Sequence, residues 1–87
     1  MKYVIKVGEK YLSSWYENHR VMTVPLTTYL QESRIFWSED AAKAVINTLD
    51  HIRNIRPSGR WLSLTAELTC VPVLEVNGVI KLSEEAV

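Results

Sequence analysis

The sequence predicts an α+β fold, a mainly antiparallel sheet with one amphipathic helix packed on one face. Three observations point there. One segment carries an apolar stripe at helical spacing. Short β-branched runs lie on both sides of it, and turn residues part those runs by only a few positions. A single stripe can cover a single apolar sheet face, and short connections pair neighbouring strands antiparallel. Eighty-seven residues fit one domain, taken as 1–87.

Tyr3, Val4, Ile5, Lys6 and Val7 are β-branched or aromatic apart from the lysine, with Tyr3, Ile5 and Val7 sharing a face. Gly8, Glu9 and Lys10 supply a turn, and Tyr11 and Leu12 resume the strand, which makes a hairpin. Residues 13–20 are polar apart from Trp15 and Tyr16 and read as a loop. Residues 21–24 form a second strand-like run, which Pro25 ends or confines to an edge. Residues 27–33 have no clear period, and Arg34, Ile35, Phe36 and Trp37 read as a third short strand.

Ser38 then caps a helix, since its hydroxyl can accept from the free amides of the first turn. Glu39 and Asp40 suit the positive end of the helix dipole. Ala42, Val45, Ile46, Leu49 and Ile52 recur at spacings of three and four and form the stripe, while Lys43, Asn47, Asp50 and Arg53 face away. Arg53 and Arg56 complement the carboxyl end, and Pro57, Ser58 and Gly59 stop the helix. Leu62, Leu64, Ala66, Leu68 and Cys70 alternate with polar residues, which predicts a half-buried strand. Residues 73–76 and 79–82 flank Asn77-Gly78, the strongest short-range hairpin signal. Residues 83–87 read as a polar tail or a helix start cut short.

Ten basic and ten acidic side chains give zero formal charge. That balance argues against a dedicated DNA binder, an acidic mimic of nucleic acid, or a partner steered by long-range electrostatics. The single cysteine, Cys70, permits no intrachain disulfide and suits a reducing compartment. No secretory pattern follows Met1-Lys2, and no apolar run could span a bilayer, so the expected localisation is cytoplasmic, with no membrane partner.

Catalytic patterns are sparse. Cys70, His19 and His51 are too far apart for metal-ligand spacing, so no metal and no cofactor is expected. Ser13 and Ser14 with His19 lack an elbow motif and an orienting acid, and Cys70 sits on an apolar strand face, where a thiol is usually inert packing. Glu39-Asp40 is explained by the helix terminus, Glu84-Glu85 by a solvated tail. Three glycines in three separate turns make no phosphate loop. The expectation is a chain that is not an enzyme.

Two segments could bind. Trp15, Tyr16, His19 and Arg20 share a loop, and Trp, Tyr and Arg are enriched in interface hot spots. The competing reading folds at least one of those aromatics back onto a small core. Arg53, Arg56, Arg60 and Trp61 put three guanidiniums beside an aromatic, which could contact an anion or stack on a nucleic-acid base. Neutral overall charge favours the plainer reading, in which the arginines complement the helix end and Trp61 packs. Residues 71–82 could also leave an exposed edge through which two copies pair.

Two resemblances carry further expectations. Residues 3–15 resemble the opening hairpin of small proteins encoded by phages and prophages of Gram-positive bacteria, and residues 35–44 are similar to the aromatic strand and acidic-then-alanine helix start that follow it there. That resemblance implies a non-enzymatic accessory protein, a modulator or inhibitor that binds a host protein, as in a defence system. Val71-Pro72-Val73-Leu74-Glu75-Val76-Asn77-Gly78 looks like the proline-containing hairpin of the thioredoxin-like domain of glutathione transferases. It implies glutathione binding, a cis peptide before Pro72 and a parallel strand pairing. A protein-binding module is the first expectation, with a glutathione binder and a weak nucleic-acid binder as its alternatives.

Overall fold

The computed structural model describes residues 1–16, 24–55 and 66–83. Strand β1 (Lys2–Val7) and β2 (Lys10–Leu12) form the expected hairpin, with Val7 opposite Lys10. Gly8 takes φ +60° at the first turn position, a value that costs glycine nothing. Next come β3 (Leu26–Thr27), a 3-10 turn (Leu30–Glu32), helix α1 (Glu39–Ile55), β4 (Leu68–Val76) and β5 (Val79–Leu82). The sheet order is β3-β2-β1-β4-β5, and every pairing is antiparallel. One helix on a five-stranded antiparallel sheet is the α+β arrangement the sequence predicts.

The helix starts as its residues dictate. The Ala41 amide donates to Ser38 Oγ at 3.1 Å, and Glu39 and Asp40 fill the first turn. Ser38→Ala should lower stability by about 1 kcal/mol, seen as a fall of about 4–8 °C in the melting midpoint. An unchanged midpoint would mean that the cap contributes nothing. Ala42, Val45 and Leu49 are buried against Ile5, Val7, Leu12, Tyr16 and Phe36, with Ile46, Leu68 and Cys70 packed around them. This is the core. It lies between the helix stripe and the sheet face bearing Tyr3, Ile5 and Val7.

Several details differ from expectation, each for a local reason. Residues 34–37 do not form a strand. Phe36 makes one bridge, exchanging bonds of 2.9 and 2.8 Å with Tyr3, because the helix cap follows two residues later. Residues 21–23 lie outside the described residues; Val24 packs on the core without strand pairing, and the strand forms beyond Pro25, at Leu26–Thr27. Residues 68–76 make one continuous strand through Pro72, joining the end of the run predicted over 62–70 to that over 73–76; residues 62–65 lie outside the described residues. Tyr3, opposite Pro72, turns both backbone groups to Phe36, so no amide is required of the proline on that side. On the other side Pro72 only accepts, from Ser83 N at 3.2 Å, where β5 has ended. The Asn-Gly hairpin is as predicted, with φ +53° at Asn77 and +77° at Gly78.

The second sheet face is also partly closed. Val4 and Val73 are fully buried there, and the 3-10 turn packs against β5. Gln31 fixes this arrangement. Its side-chain amide donates to Ile80 O at 2.5 Å, and its oxygen accepts from Ile80 N at 2.9 Å. A second copy pairing along β5 would have to displace both bonds, which is how a strand edge is blunted. The edge expected to be open for pairing is therefore occupied at Ile80.

Candidate functional site

The strongest candidate surface grows from the junction of β2, β3 and the 3-10 turn. Ser13 and Ser33 are buried and bridge one another. Ser13 N donates to Pro25 O and Ser14 N to Glu32 O, both at 2.9 Å. The next turn closes on itself, with Tyr16 N donating to Ser13 O at 3.0 Å and Trp15 N to Ser13 Oγ at 3.2 Å. The facing turn is tied as firmly. Tyr29 N donates to Thr27 Oγ1 at 3.1 Å, and that hydroxyl donates to Glu32 Oε2 at 3.0 Å. Small polar side chains thus satisfy the backbone locally, as serine and threonine do in tight turns.

This frame separates the two loop aromatics. Trp15 is 83% exposed, whereas Tyr16 is 2% exposed and belongs to the core. Arg34 holds Tyr16 in place. Its guanidinium lies 5.6 Å from the Tyr16 ring centre and 5.5 Å from that of Phe36, and it donates to Tyr16 O. Burial pushes the Tyr16 phenol above its usual range, and the Arg34 charge partly offsets that. Tyr16 is thus not a contact residue but the anchor of the turn that projects Trp15. His19 and Arg20 lie outside the described residues.

Sequence reasoning missed two exposed aromatics. Tyr29 is 67% exposed on the turn bonded to the Trp15 turn through Ser14 and Glu32, and Leu26 is partly exposed on the adjoining strand. Residues 27–33 gave no periodic signal to reveal it. Trp37 is 79% exposed because its predicted strand does not form. The Lys2 ammonium sits 4.7 Å from its ring centre and pairs with Glu75 at 2.6 Å.

Of the basic segment, the described residues include Arg53 alone. Arg53 folds back instead of facing away, its side chain only 14% exposed. Its guanidinium donates to Asp50 Oδ1 at 2.9 and 2.7 Å and to Ala66 O at 2.6 Å, tying the helix end to the approach of β4. Arg56, Arg60 and Trp61 lie outside the described residues. The thioredoxin-like arrangement is also absent among the described residues. Both neighbours of β1 run antiparallel to it, and the bond before Pro72 is trans.

Cys70 packs toward the core, and burial first, then the Glu39 carboxylate, push its thiol above the ordinary range. Such a thiol is a poor nucleophile at neutral pH. No three His, Cys, Asp or Glu side chains among the described residues could hold a metal ion, and no described helix is long and apolar enough to cross a membrane. Comparison of the chain with protein-family models, with curated proteins and with solved structures finds no match.

Proposed function

We propose that the protein is a non-enzymatic binding module that captures a protein partner through a surface centred on Trp15, with Tyr29 and Leu26 beside it. One observation carries this reading. A tryptophan is held almost fully in water on a turn whose backbone is hydrogen-bonded on both sides. Leaving so large a ring exposed forgoes about 2–3 kcal/mol of burial, and a rigid exposed aromatic is the kind of residue that dominates interface energetics. Trp37 is a weaker anchor, since one charge already lies against its ring. The resemblance to small phage proteins supports a bacterial host protein as the partner, and modulation or inhibition of that host protein as the outcome.

The test compares three purified variants, Trp15→Ala, Tyr29→Ala and Trp37→Ala, as baits in lysate of a Gram-positive host. A specific partner should be retained by the parent chain and by Trp37→Ala, and bind Trp15→Ala more weakly by about 2 kcal/mol or more, roughly 30-fold. Trp15→Ala should change folding stability by less than about 0.5 kcal/mol. A partner held equally by Trp15→Ala and the parent would refute the reading.

A further inference from the structure

Among the described residues the second sheet face is covered at one end, and beyond that cover lies a groove of about 270 Å³. Its floor is apolar, from Val71 and Leu82, and Tyr11, Thr69 and Ser83 also line it. Two opposite charges complete the lining, Lys6 from β1 and Glu67 just before β4. Lys6 stands opposite Thr69, and Gly8 N donates to Glu67 O at 2.9 Å, so the two charged residues are diagonal neighbours on one face. Diagonal neighbours lie about 7–8 Å apart. Nothing pairs Lys6 with Glu67 across that gap, and neither side chain has another partner among the described residues.

We infer that this groove binds a small zwitterion, an α-amino acid with a medium-sized apolar side chain. The ligand carboxylate meets the Lys6 ammonium, its ammonium meets the Glu67 carboxylate, and its side chain lies over Val71 and Leu82. A cation, an anion and an apolar floor in one small concavity match the three parts of such a molecule. The groove is separate from the Trp15 surface, so the two readings stand or fall independently.

The experiment is a titration of the full chain followed by amide chemical shifts, with L-leucine, L-leucinamide and N-acetyl-L-leucine as probes. Leucine should shift the Thr69, Val71 and Leu82 amides saturably in the millimolar range. Lys6→Gln should weaken leucine by about tenfold or more, yet leave leucinamide, which lacks the carboxylate, unaffected. Glu67→Gln should weaken leucine similarly and leave N-acetyl-leucine unaffected. Both charged residues are exposed, so the fold should survive either change. Absence of a saturable leucine response, or equal binding of all three probes, would overturn the assignment.

Discussion

Tyr16→Ala should destabilise the protein by about 3–5 kcal/mol, while Trp15→Ala one residue earlier should be nearly silent in the same denaturant titration. The contrast follows from burial. Tyr16 fills the core beside Phe36 and Leu12 and carries the stacked Arg34, whereas Trp15 projects into water. A loss of this size is a large fraction of what a small domain has, about 0.05–0.15 kcal/mol per residue. If the two substitutions cost the same, the turn does not have this geometry.

Tyr16→Phe separates packing from titration. The folded state holds the Tyr16 proton more tightly than the unfolded chain does, since its phenol is raised. That preference supports the fold fully below the unfolded value near 10 and is lost as pH rises through the higher folded value. The parent should therefore lose stability at alkaline pH more steeply than Tyr16→Phe. Identical alkaline limbs would show that the phenol does not sense its burial.

Leu49→Ala should be comparably severe, about 3–5 kcal/mol. Leu49 is fully buried where the helix stripe meets the sheet, and the surrounding strands are too tightly paired to collapse into the space. His51→Ala, two positions on and exposed, should change stability by less than about 0.5 kcal/mol. Equal losses at 49 and 51 would put the stripe on the wrong side of the helix.

The elements legible in the sequence are those whose signal is local. The Ser38 cap and the 42-45-49 spacing declare the helix, and Asn77-Gly78 declares its hairpin, because each depends only on neighbouring residues. What stayed hidden depends on distant partners. Val4 reads as an outward residue in an alternating strand, yet it is buried where the second face is covered. The run ending at Cys70 and the run starting at Val73 read as separate, because the tolerance of Pro72 between them depends on Tyr3 bonding to Phe36. The candidate surface was half legible. Composition singles out Trp15 and Tyr16 as a pair, but only the position of Arg34 decides which turns inward, and Tyr29 lies on a turn without periodicity.

The middle of the sheet joins the two ends of the described chain, Lys2 facing Val73 and Val7 facing Leu68. During synthesis the first strand therefore waits for its inner neighbour until almost everything between them has left the ribosome. Closing so long a loop is slow compared with forming the helix or either hairpin. Until then the first strand has β2 on one side and the single Phe36 bridge on the other, so most of its inner edge is unpaired. A nascent chain halted before residue 68 should accordingly be digested by protease as an unfolded one, and resistance should arrive in a single step once β4 is exposed to solvent.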